Sequence, residues 1–118
     1  MIEGDDKRTG MGDDWLEGDT RLRKGIRAVF VKNVPAQMQK LRDALANNDV
    51  HGAELLSHSI KGAAAMIGAA GLKEAAHETE QACVQGDAGR AGELLFGLGS
   101  EFQKVMDELN LEIERKQD

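Results

Sequence analysis

Tyrosine is absent from the 118 residues, and aromatics of any kind make up only 3% of them. A core in this chain must therefore be built from Leu, Ile, Val, Met and Ala, the composition of packed helices. Proline occurs once, which disfavours a loop-rich fold. The single cysteine, Cys83, excludes an intramolecular disulfide and a cysteine-based zinc site, and fits a reducing compartment. Basic charge is also in deficit. The net charge of −6 argues against a nucleic-acid partner, because phosphate contacts need clustered Lys and Arg. No apolar run approaches the roughly 20 residues that cross a bilayer, and no basic-then-apolar leader opens the chain. The expectation is a monomeric cytoplasmic protein without a membrane partner. By size it is one domain, with enough chain to bury a single core.

What is present is helical periodicity. Residues 1–20 are rich in Gly and Asp and read as a flexible tail or linker. Within them Trp15 and Leu16 are the sizeable apolar residues after Met11, placed to fold back onto whatever follows. From Leu22 the spacing of Leu22, Ile26, Val29 and Phe30 predicts a helix. Pro35 lacks a backbone donor and disfavours helical geometry at Val34, so it reads as the first residue of a second helix. That helix carries Met38, Leu41 and Leu45 inward and ends near Asn47-Asn48. Asp49 is a suitable N-cap for a third helix, Val50 to about Ile67. Gly68 to Gly71 read as a turn, and Leu72 to about Gln85 as a fourth helix, with Leu72, Ala75, Ala76, Thr79, Ala82 and Cys83 inward. Gly86 suits the position after a helix end and Asp87 the next N-cap. The last helix runs from about Ala88 to Glu114, with Leu94, Leu95, Leu98, Phe102, Val105, Met106, Leu109 and Ile113 inward. The pattern predicts an all-α, antiparallel up-down four-helix bundle over residues 21–118, with an additional short helix at its N-terminal end.

The chemistry is concentrated in His58-Ser59-Ile60-Lys61-Gly62 and its continuation to Gly68. Residues three and four apart on a helix are surface neighbours, so the imidazole, the Lys61 ammonium and bare backbone at Gly62 fall together. At about 100° per residue, Leu56 and Ile60 each lie roughly 160° from His58, in opposite senses. The apolar stripe of Ala53, Leu56, Ile60, Ala64 (or Ala63) and Ile67 thus points away from His58, which faces water. If the third and fourth helices form a hairpin about residues 69–71, Glu80 falls within about one turn of His58. It can then accept a hydrogen bond from the imidazole and orient it.

His-x-x-Lys-Gly, with a further Gly six residues on, resembles the signature of histidine-containing phosphotransfer (Hpt) domains, the helical bundles that pass a phosphoryl group in two-component phosphorelays. The likeness runs from about Phe30 to Leu109 and takes in Phe30, Pro35, Leu41, Ala44-Leu45, the Asp49 turn, Leu72, Glu80 and the Gly86-Asp87 turn. It implies that His58 is the phospho-accepting histidine, with Lys61 the lysine beside it and Gly62 and Gly68 the two glycines of the motif. Leu55, Gly62, Ala65 and Gly68 would then form the docking surface for a partner. His58, Lys61, His77 and Glu80 also have the spacing of the network in the phosphotransfer domain of chemotaxis histidine kinases, where His-Ser-Ile-Lys-Gly recurs. The partners implied are response-regulator receiver domains and a sensor histidine kinase. No cofactor is implied in this chain, the Mg²⁺ of the reaction belonging to the partner.

Three other readings stand beside this one. The chain is also readable as a phosphotransfer domain excised from a chemotaxis-type or hybrid kinase, or as a bundle that binds partners without carrying phosphate, a reading that loss of the histidine would signal and that the presence of His58 opposes. A di-metal bundle would need two Glu-x-x-His pairs and two more inward glutamates, whereas Glu74-x-x-His77 is one pair and His58 points outward. His51 reads as exposed, and Cys83 as a small core residue rather than a reactive thiol.

Overall fold

The computed structural model describes residues 20–117 as four helices: α1 (Thr20–Ala46), α2 (Val50–Met66), α3 (Ala70–Val84) and α4 (Ala88–Gln117). The tail expected before Thr20 lies outside the described residues, as does the side chain of Ile113. Each helix packs on the next, and α1 closes the ring against α4. The result is an all-α four-helix bundle of the expected kind. No helix among the described residues is long and apolar enough to cross a membrane.

The first two helices expected from the sequence are one. Pro35 lies inside α1, with no break at Val34. A proline in a helix interior costs about 3 kcal/mol through its missing donor and its ring. Here packing outweighs that local rule. Phe30, Val34, Met38 and Leu41 are all buried at spacings of four, four and three, so a single apolar stripe runs past the proline. Breaking the helix at Val34 would take half of that stripe out of the core. The stripe also corrects the inward set nearer the N-terminus. Only Phe30 of the residues expected there is buried, Leu22 and Ile26 are half-buried, and Val29 is 56% exposed.

The three connections share one geometry. A residue with positive φ follows each helix, namely Asn48 (58°), Gly68 (75°) and Gly86 (75°). The amide after it then bonds back across the last turn: Asp49 N–H to the Ala44 carbonyl, Ala69 to Ala64, and Asp87 to Ala82, at 2.8–2.9 Å. With the shorter bonds from Asn48, Gly68 and Gly86 to Leu45, Ala65 and Cys83, these are Schellman ends. Two of the three next helices are capped by the following side chain. Asp49 accepts from the Gly52 N–H at 2.9 Å and Asp87 from the Arg90 N–H at 3.0 Å. Ala69 has no side chain to do the same for α3. The turn between α2 and α3 is thus shorter than the expected Gly68–Gly71, and α3 begins at Ala70. Tight turns fix the register of neighbouring helices, and the register of α2 against α3 builds the site.

Candidate functional site

The α2 stripe buries Ala53, Ile60 and Ala64 completely, so the opposite face of α2 is turned outward. His58 sits on that face with its side chain 68% exposed. Lys61, one turn on, is 25% exposed. From α3, Thr79 and Glu80 enter the interface with α2, and Glu80 is 8% exposed overall. A buried carboxylate is costly unless it is paired, and Glu80 is paired twice. Its Oε2 lies 2.9 Å from His58 Nδ1, and its Oε1 lies 2.7 Å from Lys61 Nζ.

The charge state of Glu80 follows from these contacts. Burial pushes its pKa up, but the hydrogen bonds and positive charge supplied by Lys61 and His58 outweigh that, and the net result is a carboxyl held below its ordinary value. Glu80 is therefore ionised at neutral pH and can only accept hydrogen bonds. The 2.9 Å contact then requires the proton of a neutral His58 to reside on Nδ1. The Nε2 lone pair is left directed toward the exposed side of the ring. An exposed imidazole with a free Nε2 lone pair, beside an ammonium, is chemically able to act as a nucleophile.

The structure thus brings His58, Lys61 and Glu80 together. His77 is not in that cluster. It is half-buried on the side of α3 facing α4, where it lines a shallow hollow with Gln81, Arg90 and Leu94, and it makes no hydrogen bond to the other three. Leu55 is 57% exposed, and Gly62, Ala65 and Gly68 are exposed as well. His51 is on the surface, 4.0 Å from Glu54. Cys83 is buried, and burial together with the nearby charges of Glu54 and Glu80 raises its thiol pKa, which disfavours the thiolate.

Two features of the site have no counterpart in the sequence reading. Met66 is 59% exposed and extends the apolar surface of Leu55 and Gly62 by one more turn. Its exclusion from the Ala53–Ile67 stripe is the signal that could have found it. Ser57, next to His58 in the chain, is wholly buried, and its hydroxyl has no hydrogen-bond partner among the described residues. Its place four residues after Ala53 and three before Ile60, on the buried stripe, is the signal that could have found it.

A family model for the Hpt domain matches residues 25–116, which include all of α2 and α3. The chain belongs to the Hpt domain family. As an Hpt domain it is a histidine phosphotransfer module of a two-component phosphorelay, a family whose members interact with receiver domains and histidine kinases. No curated protein and no solved structure matches the chain. Of the three histidines in this Hpt domain, only His58 combines exposure with a buried carboxylate partner.

Gly62 carries a stability cost that nothing in the Hpt domain itself requires. A Cβ added there would meet no atom within 4 Å, and Gly in a helix interior is about 1 kcal/mol less favourable than Ala. Gly62→Ala is expected to raise the urea midpoint of unfolding by an amount equivalent to about 0.5–1 kcal/mol. A fall in the midpoint would show that the bare backbone has an internal packing role.

Proposed function

We propose that His58 is the residue that carries the phosphoryl group, accepting it from and returning it to receiver-domain aspartates. The observation that carries this is the 2.9 Å contact between Nδ1 and the ionised, buried Glu80, which leaves Nε2 as the exposed lone pair. In the forward step the Nε2 lone pair attacks the phosphorus of an aspartyl phosphate. The N–P bond forms as the P–O bond breaks, and the electron pair of the broken bond stays on the aspartate carboxylate. The positive charge that develops on the ring is stabilised by Glu80 through Nδ1–H. The reverse step returns the group by the same path, since neither side chain is consumed.

The transferring group is equatorially anionic, so catalysis rests on placing and compensating charge. Lys61, one turn from His58, is the cation placed among the described residues to meet that charge, and it also holds Glu80 in place. The Mg²⁺ that such a transfer uses is supplied by the partner's site. Leu55, Gly62, Ala65 and Gly68 provide a low-relief face on which a receiver can bring its aspartate to His58. The same reading holds whether the module acts alone or within a larger kinase chain.

The test is transfer from a phosphorylated receiver domain to this protein. Acid-labile phosphate should appear on the peptide that contains His58, and phosphate on any other peptide would defeat the assignment. Lys61→Met should slow single-turnover transfer about two- to tenfold while leaving label on His58. It should also destabilise the bundle by about 1–3 kcal/mol, because a buried carboxylate loses one of its partners. An unchanged rate with lowered stability would reduce Lys61 to a structural counter-ion.

A further inference from the structure

Phe96, on the outer face of α4, is 87% exposed, while Leu98 two residues on is wholly buried. A phenylalanine gains much by leaving water, so an open one on a folded helix marks a face to be covered. Its surroundings are bare. Gly89, Gly92, Gly99 and Ser100 all lie within about 60° of it round the helix. Glycine weakens a helix interior, yet the bundle makes no use of these three. None has positive φ. A Cβ at Gly92 would meet nothing within 4 Å, and at Gly89 or Gly99 only a side-chain tip at 3.7 Å. One face thus carries both a projecting ring and the low backbone on which a ring can rest, the combination that a twofold, self-complementary contact requires. Small residues also let two helices approach closely, as they do in membranes.

Charge sets the register. Glu93 and Lys104 lie on one flank of Phe96, about 60° and 80° round the helix. Asp107 is on the same side at about 20°, and Arg90 farther round at about 120°, where a long side chain can still reach inward. Neither Arg90 nor Glu93 has an ion-pair partner among the described residues. Lys104 has Glu101, 3.2 Å away on the same helix, a surface pair that binds it weakly. In an antiparallel pair of α4 helices, like flanks meet. The midpoint of Glu93 and Lys104 is also the midpoint of Arg90 and Asp107, between Leu98 and Gly99. A twofold axis at that height sets Glu93 against Lys104 of the second copy and Arg90 against Asp107, each pair occurring twice. It also brings Phe96 within about 3 Å, measured along the helix axis, of Gly99 and Ser100 of the second copy. Parallel packing would set each charge against its own like.

We propose that two copies of this chain pair through α4 in this antiparallel register, each Phe96 resting on Gly99 and Ser100 of the other, in place of the monomer expected from the sequence. Two phenylalanines supply about 300–500 Å² of the roughly 1,000 Å² that a specific interface buries, so the pair is weak, with a Kd in the micromolar range. In the ring of helices α2 stands diagonally from α4, so His58 of each copy faces away from the axis and stays open to a receiver. The proposal is independent of phosphate transfer. In sedimentation equilibrium the mass of the intact chain should rise from 12.8 kDa toward twice that value between about 5 and 500 μM. Phe96→Asp, at an exposed position, should weaken association at least about tenfold while circular dichroism stays helical. Glu93→Lys and Lys104→Glu should each weaken it about threefold or more at low salt, and the two together should restore it, because every pair is then reversed. The proposal is overturned if the chain is monomeric at about 500 μM, if association survives Phe96→Asp, or if the double exchange restores nothing. A monomeric wild type whose binding to a phosphorylated receiver is lost in Phe96→Asp would assign this face to that partner, and would equally overturn it.

Discussion

His58→Gln is expected to remove all acid-labile phosphate acquired from a phosphorylated receiver, while His51→Gln and His77→Gln keep it. The contrast follows from what surrounds each ring. His51 stands on the surface with a 4.0 Å approach to Glu54, and His77 has neither a carboxylate partner among the described residues nor a place in the Glu80 cluster. His58 alone has its tautomer fixed by a buried acceptor, 2.9 Å away. Glutamine is chosen because its amide can still donate to Glu80, so loss of label will not reflect loss of the interface. The urea midpoint should move by less than the equivalent of about 1 kcal/mol. No neighbour can substitute as nucleophile. The Ser57 hydroxyl is sealed in the interior, and Ser59 is exposed without a base beside it. Label persisting on His58→Gln would therefore require a different acceptor and a different site.

The direction of His58 was legible in the sequence because it depends only on helical period and on an apolar stripe of four residues in α2 and Ile67 at its C-cap. Glu80 was legible for a less secure reason. The hairpin was placed about residues 69–71, whereas its reversal is at Ile67–Ala69. Measured from Gly68, His58 is ten residues before and Glu80 twelve after, a mismatch of about 3 Å along the axes, which a glutamate side chain spans. Both placements of the turn bring the pair to nearly the same height, and so the contact survives the shift.

What the sequence did not carry was set by packing between elements. Pro35 obeys its local preference unless the energy of a continuous buried stripe opposes it, and Phe30, Val34, Met38 and Leu41 supply that opposition only once α2 and α4 are in place. Lys61 was expected to stand beside a phosphoryl group, and in the structure its ammonium is engaged with Glu80. Spacing along one helix could not show that, since the choice depends on the distance between α2 and α3. Val29 obeys the helical period of its neighbours yet faces outward, because α2 ends at Met66 and provides little to cover it.

Glu80→Gln should slow phosphoryl transfer to His58 about 10- to 100-fold, the range seen when a carboxylate that orients a metal-bound imidazole is removed. Shape is retained in this substitution and the charge is lost. An amide can donate as well as accept, so His58 is no longer obliged to keep its proton on Nδ1, and a fraction of molecules carry it on Nε2, where it blocks attack. Stability should report the same charge. The folded-state pKa of Glu80 is depressed below its ordinary 4.5 despite burial, because Lys61 and His58 bond to the ionised form. A depressed carboxyl pKa contributes stability that is fully present above the unfolded value and is lost as pH falls through the folded one. The wild type should accordingly be more stable than Glu80→Gln at pH 7, and the two urea midpoints should converge as the pH is lowered from about 5 into the acid range. A difference that persists undiminished at pH 3 would mean that the carboxylate charge contributes nothing to the fold. The transfer rate and the pH-dependent difference in stability rest on one ionised side chain, so the loss of either without the other would separate the orienting role of Glu80 from its role as the counter-ion of Lys61.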